Sequence, residues 1–343
     1  MTRLAIRSRG RGGAALIVAL WVLLILSLLV GSFAYDMHIE SHVTSYFRKR
    51  MKAQYLARAG VEWAKLLIAK SYNVNADEES EGADEQLLVS AVNLSRGVGA
   101  AKRVIALGEG EVTVDVLPEQ GRYNINMLED EDWEELLDST NVPEERWDEL
   151  IDTFHDWVDE NDEHLLNGAE SDDSFYEERG YEVKNAPLDT IDELLLIKGF
   201  DYAVVYGGPG ETEDDPPLRG IGRSLTTWGD GKVNVNTANR DVLMTLPGLE
   251  DEQTVDGLLE QRAGEDGIPG TRDDGFTSVE EVLGIAGIVD PAALQRRITV
   301  TERQYVRVVS IGEVQGVRSG VWAVLLGTEE LVVPLYWREE AME

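Results

Sequence analysis

Residues 14–35 read AALIVALWVLLILSLLVGSFAY, without one charged side chain. At ~1.5 Å rise per residue, these about 22 residues make roughly 33 Å of helix, enough to cross the hydrocarbon core of a bilayer. Arg3, Arg7, Arg9 and Arg11 precede the stretch, and Asp36 and Glu40 are the first charges after it. That asymmetry leaves the short N-terminus in the cytoplasm and sends everything after Tyr35 across the membrane. The pattern does not stop there. From Met37 to Lys70 there is no Pro, and the only Gly is Gly60. Val43, Tyr46, Phe47, Met51, Tyr55, Ala59, Trp63 and Leu67 recur at the three- and four-residue steps of one helix face. The spacing predicts one unbroken helix, its first half in lipid and its second half packed on a globular domain.

Three readings compete for this stretch. Ser32-Phe33-Ala34 has the small-x-small form of a secretory cleavage site, but the apolar run is longer than the ~7–15 residues of a signal peptide. A plain single-span anchor accounts for the apolar run alone. The third reading takes in the amphipathic continuation. A short basic leader ending in Gly12-Gly13, followed at once by an apolar helix that turns amphipathic, resembles the type IV pilin family. The resemblance implies cleavage between Gly13 and Ala14 by prepilin peptidase, with Ala14 then N-methylated. Most pilins carry a Glu at the fifth mature position, and here that position is Val18. The departure matches one branch, the minor pseudopilin K of type II secretion systems, which this chain resembles along nearly its full length. A tip subunit has no subunit ahead of it to pair with a buried carboxylate, and such a group left alone in lipid is costly.

Composition sets bounds on the rest. A chain of 343 residues has room for one large domain or two to three modest ones. Its formal charge of −34 repels nucleic-acid phosphates and anionic lipid, and favours cations and basic partners. There is no cysteine, which excludes disulfides and thiolate chemistry.

Along the chain, residues 71–80 read as a loop and 86–94 as a short helix. Lys102–Leu107 and Glu111–Leu117 read as a strand pair about the turn Gly108-Glu109-Gly110, with Val112, Val114 and Val116 alternating against polar residues. Pro118 and Gly121 end the pair. A mostly helical block follows. Its helices are expected at 130–139, from Pro143 onward, at 188–198 with Asp189 as N-cap, and near 240–246, 251–262, 278–283 and 291–297. Three β-rich runs close the chain, at 305–311, 320–326 and 331–337, with Pro334 marking the last as an edge. The expected fold is α+β: a long N-terminal helix packed on an antiparallel sheet, with a large all-α domain inserted between strands. The expected divisions are leader 1–13, helix 14–70, first sheet part 71–121, inserted domain 122–298, and C-terminal strands 299–343.

Two acidic stretches could carry chemistry. Asp156-Trp157-Val158-Asp159-Glu160-Asn161-Asp162-Glu163 is followed by Gly168-Ala169-Glu170 and then Asp173. Hard cations take six to eight oxygens, which Asp159, Asn161, Glu170 and Asp173 could help supply; a solvated acidic loop is the competing reading. The stretch resembles the W-[IV]-D-x-D-x(n)-G-A-E segment of pseudopilin K proteins, and the resemblance implies bound calcium. Asn161 stands where that segment has its second Asp. The other stretch carries Asp266, Asp273 and Asp274 among turn glycines but misses the EF-hand spacing, and reads as a polar hairpin.

Val233-Asn234-Val235-Asn236-Thr237-Ala238, Leu246-Pro247-Gly248-Leu249 and Phe276–Ile288 are similar to helix-hairpin-helix modules, whose hairpin amides hold DNA phosphates. Such binding needs Lys and Arg, whereas this region carries Glu250, Asp251, Glu252, Asp256 and Glu260. The motif is therefore read as a packing unit, and no nucleic-acid partner is expected. His38, His42, His155 and His164 form no metal-ligand motif, and no G-x-S-x-G, P-loop or H-E-x-x-H sequence occurs, so no enzyme is expected.

The resemblance implies a minor pseudopilin at the pseudopilus tip, single-pass in the inner membrane of a Gram-negative bacterium, with its C-terminal domain in the periplasm. Its partners would be pseudopilins I and J, met by the helix through Val18, Leu20, Leu24, Tyr55 and Trp63. The alternatives are a minor pilin of a type IV pilus and a membrane-tethered helix-hairpin-helix DNA-binding protein.

Overall fold

The computed structural model describes residues 12–74, 83–210, 215–268, 270–301 and 304–342. Helix α1 (Gly12–Asn73) is continuous, as the unbroken periodicity predicts. It begins within the expected leader, whose residues 1–11 lie outside the described residues, and it ends at Asn73. Every side chain from Ala15 to Arg48 is exposed. Burial against the body begins at Ala53 and continues through Ala57, Val61, Ala64, Leu67 and Ile68, a stripe at helical spacing. Helix α2 (Ala83–Ser95) leads into β1 (Ala100–Leu107) and β2 (Gly110–Pro118).

The chain then leaves for a second block and returns in β7 (Tyr305–Val314), β8 (Val317–Gly327) and β9 (Val332–Met342). These strands form one antiparallel sheet in the order β1-β2-β7-β8-β9. The inner face, Val112, Val114, Val116, Val306, Val308, Val321, Ala323 and Leu325, packs with the α1 stripe into one core. Small residues set the closeness of this contact. A Cβ on Gly60 would stand 2.1 Å from Ser310 Oγ, and one on Gly312 would stand 2.1 Å from the Ala53 carbonyl. No side chain larger than hydrogen fits either place. Arg58 adds a two-pronged contact to Glu339 of β9, at 2.8 and 3.0 Å, and this guanidinium holds the Glu339 carboxyl down to about 2. As the position of Pro334 implies, β9 is an edge strand, with a register shift between Val324 and Leu325 opposite it.

The block between β2 and β7 has its own core, built around Trp133, Leu150, Phe154, Tyr176, Leu243 and Leu258. It is mainly helical: α3 (Asp130–Ser139), α4 (Trp147–Val158), α5 (Ser174–Arg179), α6 (Tyr202–Tyr206), α7 (Arg240–Met244), α8 (Glu252–Arg262), α9 (Val279–Leu283) and α10 (Pro291–Arg297). Two parallel pairs of two-residue strands stitch it together: β3 (Tyr123–Asn124) with β4 (Leu225–Thr226), and β5 (Val233–Asn234) with β6 (Ile298–Thr299). Pro143 opens a 3₁₀ turn over Glu144–Arg146, which runs into α4.

One expected helix differs. Over 188–198 the chain forms a 3₁₀ segment, Ile191–Leu196, capped by Thr190 and not by Asp189. The Glu193 carboxylate accepts the amides of Asp189 and Thr190, at 2.8 and 2.9 Å, while the Asp189 side chain pairs with Lys184 at 2.8 Å. The reciprocal cap starting at Thr190 wins over the single cap starting at Asp189.

Candidate functional site

The strand directions orient the molecule. Ala53, where α1 meets the body, lies against Gly312 near one end of the sheet, and Ile68 lies against Gly327 at the other. The Tyr72 hydroxyl donates to the Gly327 carbonyl at 2.6 Å. The second block starts after Pro118 and finishes before Tyr305, and both residues sit at the Gly327 end. The bare apolar half of α1 and the inserted block therefore project from opposite ends of the sheet. Along the bare part, Val18, Leu20 and Leu24 are 61%, 58% and 51% exposed, and Tyr55 further down is 61% exposed. Trp63 is different: it is half-buried against the core of its own domain, with the Arg103 guanidinium 5.5 Å from its ring centroid. Much of that indole is thus spent inside the chain. Gly13 lies in the first turn of α1 beside Ala14.

The first acidic stretch starts on α4. Leu150, Ile151, Phe154 and Trp157 take the buried face, and Asp156 is buried beside them. Its carboxylate accepts the Leu165 amide at 3.2 and 3.3 Å and lies directly over Gly168, where a Cβ would come within 1.9 Å of Oδ2. Glu170 follows, 1% exposed, with neither carboxylate oxygen hydrogen-bonded among the described residues. Burial first, and the nearby charges of Asp156, Asp159 and Asp162 second, push the Glu170 carboxyl up to about 7. Burial also raises Asp156.

The spacing-based set of Asp159, Asn161, Glu170 and Asp173 is not brought together as one group. Asp173 caps α5 through Phe175 N–H at 2.8 Å and receives Lys198 Nζ at 2.9 Å, so both its oxygens are spent. Asn161 Oδ1 accepts the Glu163 amide at 2.7 Å. Asp156 and Asp162 take their places around Glu170. Asp156 opens the acidic stretch in the sequence but was not counted among the ligands; the structure places it on the buried face of α4. Among the described residues, no three acidic or histidine side chains are set at metal distance from one another. The fit to a cation rests on Glu170: a buried carboxylate with two free oxygens among like charges is stable only when protonated or beside a positive ion. A hard, oxygen-seeking ion such as calcium would suit that donor chemistry, with Glu170 the residue to offer it two oxygens and Asp156, Asp159 and Asp162 adding negative field around it.

The second acidic stretch meets its own needs. Asp273 Oδ2 accepts the amides of Glu265 and Asp266 at 2.7 and 3.3 Å, Asp266 accepts Ile268 N–H at 2.7 Å, and Asp274 accepts Gly270 N–H at 2.5 Å. These contacts, led by the Thr271 hydroxyl, hold Asp273 below the usual carboxylate range. The loop also docks on α2: Asn93 donates to the Thr271 carbonyl at 2.8 Å, and Arg96 to that of Arg272.

The helix-hairpin-helix-like stretches are structural in the same way. Asn234 donates to the Gly97 carbonyl at 2.8 Å, and Asn236 to those of Phe276 and Val300, both at 2.9 Å. Asn234 thus ties the inserted block to the turn just past α2, where Asn236 also reaches the Arg96 carbonyl at 3.3 Å. At the hairpin, the Gly248 amide donates to Glu250 Oε1 at 2.8 Å, so a carboxylate of the chain itself holds the group that would face a phosphate.

With this geometry in view, residues 121–206 match the family model of the type II secretion system protein K, first domain. That range opens at the junction with the sheet and contains α3 to α6 and the first acidic stretch. Over 115 residues the chain is 27% identical to type II secretion system protein K of Klebsiella pneumoniae, a match covering 30% of this chain. The chain spans about a third (35%) of the length of that curated relative in the match. In fold, it is similar to a chain of the GspK–GspI–GspJ complex from the enterotoxigenic Escherichia coli type 2 secretion system. The TM-score is 0.59 at 16% identity, covering 87% of this chain and 99% of that one. Residues 121–206 and the overall fold are thus both similar to those of type II secretion system protein K.

Proposed function

We propose that this chain is the minor pseudopilin at the tip of a type II secretion pseudopilus, a structural part of the machine with no catalytic role. One observation carries the reading: the bare apolar half of α1 and the inserted block leave the sheet from opposite ends. A helix that stacks among other helices in a shaft needs its exposed apolar face free, as it is from Ala15 to Arg48. A block as wide as the one between β2 and β7 would obstruct a subunit stacked above it, and at a tip nothing is stacked above. Val18 suits the same position, since it leaves no carboxylate in lipid without a partner ahead.

Under this reading prepilin peptidase removes residues 1–13, Ala14 becomes the methylated N-terminus, and the body stands in the periplasm, anchored once in the inner membrane. Pseudopilins I and J, the companions of protein K in the similar solved complex, would pack along Val18, Leu20, Leu24 and Tyr55. Calcium would sit at Glu170 and offset part of the negative charge of the first acidic stretch.

The test is intact-mass and N-terminal peptide analysis of the protein from membranes that hold a native prepilin peptidase. The expected result is a chain starting at a methylated Ala14. A chain starting near Tyr35, or one with its leader intact, would overturn the pseudopilin reading.

A further inference from the structure

A cleft of about 570 Å³ separates the outer face of the sheet from the inserted block. This volume is in the range of small-molecule sites. One wall is Val309, Trp322 and Tyr336 from β7, β8 and β9, and the other is Ile191, Thr226 and Trp228 from the inserted block. Glu119 lies at its base, the first residue after β2, 3% exposed and with Oε2 making no hydrogen bond.

The ion pairs around this cleft share one property. Arg122 stands 3.6 Å and Arg307 3.8 Å from Glu119, while Arg338 stands 3.9 Å from Asp192 and 3.6 Å from Glu340. All four exceed the ~3.2 Å limit of an ordinary N–H···O bond. Arg58 by contrast closes on Glu339 at 2.8 Å, while open pairs such as Arg219–Asp241 at 3.8 Å also occur on the surface away from the cleft. In the cleft guanidinium donors and carboxylate acceptors alternate with gaps between them. Their charges nearly cancel, three arginines facing Asp115, Glu119, Asp192 and Glu340. A cleft of that balance selects neither an anion nor a cation. It suits a group that accepts from a guanidinium and donates to a carboxylate at once, which a hydroxyl does. The aromatic walls supply the other half of the fit. The Trp228 and Tyr336 rings are 6.2 Å apart and tilted by 54°, so neither is stacked flat on the other, and the half-buried Trp322 lines the same wall.

We propose that this cleft binds a neutral, polyhydroxylated ligand, a short oligosaccharide, with the C–H faces of its rings on Trp228, Trp322 and Tyr336 and its hydroxyls between the separated charges. A donor hydroxyl would satisfy Glu119 Oε2, whose burial raises the Glu119 carboxyl. A peptide fits less well. Lying on the sheet face, it would meet β7 and β8, whose backbone groups are already paired to strands on both sides.

The test uses the full chain in lipid nanodiscs, titrated with cellotriose, maltotriose, N-acetylchitotriose and trialanine, and read by calorimetry and intrinsic tryptophan fluorescence. The expected result is saturable binding of at least one trisaccharide, with Kd of about 1 mM or tighter, insensitive to added salt. Trp228→Ala should weaken that binding about tenfold, as loss of an aromatic face does. Arg338→Gln, at a half-exposed rim position that the fold does not need, should weaken it as well. Melting curves establish that each variant is folded. Failure of all three trisaccharides to bind would overturn the proposal, as would trialanine binding as tightly as the best of them, or affinities unchanged in both folded variants. None of these outcomes bears on the pseudopilin reading, which rests on the directions in which α1 and the inserted block leave the sheet and on the N-terminus.

Discussion

The two acidic loops of the inserted block, 156–173 and 264–275, are made of the same residue types and reach opposite electrostatic states. In the second, each Asp finds backbone amides of its own turn, and Asp274 faces Arg96 and Arg262 as well. In the first, Asp156 is partly satisfied, but Glu170 is buried with two free oxygens in the field of three other carboxylates. One loop is finished by folding, and the other is left with a charge deficit that a cation would fill. Density of Asp and Glu therefore says little about ion binding.

That contrast can be broken most directly at Glu170. Calcium at about 100 times its Kd should stabilise the protein by about 2.7 kcal/mol, and Glu170→Gln should remove that increment. Melting in calcium and in EDTA reads both, and a variant that keeps the full calcium shift would place the ion elsewhere. The second loop should answer in reverse. Asp274→Ala strips a partner from the Gly270 amide and a counter-charge from the half-buried Arg262, and should cost about 2 kcal/mol with or without calcium. A calcium shift lost in this variant would erase the distinction between the loops. Asp173→Asn sharpens the boundary of the first site. It should lower stability by under about 1 kcal/mol through the Lys198 pair and leave the calcium shift intact, whereas Asp159→Asn should reduce that shift.

The smallest effect is in pH. Because the Glu170 carboxyl is raised from 4.5 to about 7 by folding, the folded chain binds more protons than the unfolded chain between those values. Without calcium, stability should fall as pH rises through that window and level off above it. The decline should be shallow, since an exposed loop can admit water to an ionised carboxylate. With calcium bound it should vanish, and thermal melts across pH 4–8 check both arms.

The helix-and-sheet layer was readable from sequence because each of its parts repeats a period. Steps of three and four along α1, and alternation in β2 and β7, are set by residues near one another in the chain. Even the lone Gly60 could be noticed, though only the structure supplies its reason, the Ser310 hydroxyl beneath it. In the inserted block the elements were legible and their uses were not. Asp189 and Thr190 are both fair helix caps, and the reciprocal bond from Glu193 decides between them. Asp173 looked like a ligand because its two partners, the α5 amide and Lys198, are respectively too local and too distant to read from spacing. Asn234 and Asn236 resembled a hairpin signature, but their targets lie at Gly97, just past α2, and at Phe276 and Val300. Buried polar side chains are assigned by contacts far apart in sequence, and a period carries no such information.

The chain crosses from the sheet into the inserted block at Glu119 and comes back at Tyr305, and these two residues are joined by one bond, Glu119 N–H to the Tyr305 carbonyl at 2.7 Å. The sheet therefore experiences everything between them as a single closed loop, whose entropic cost grows only with the logarithm of its length. The pilin-like layer acts as a mount indifferent to its payload. A two- or three-residue turn spliced in at this point would leave strand register untouched, and a different folded module whose own ends lie close together could be grafted there in place of the present one.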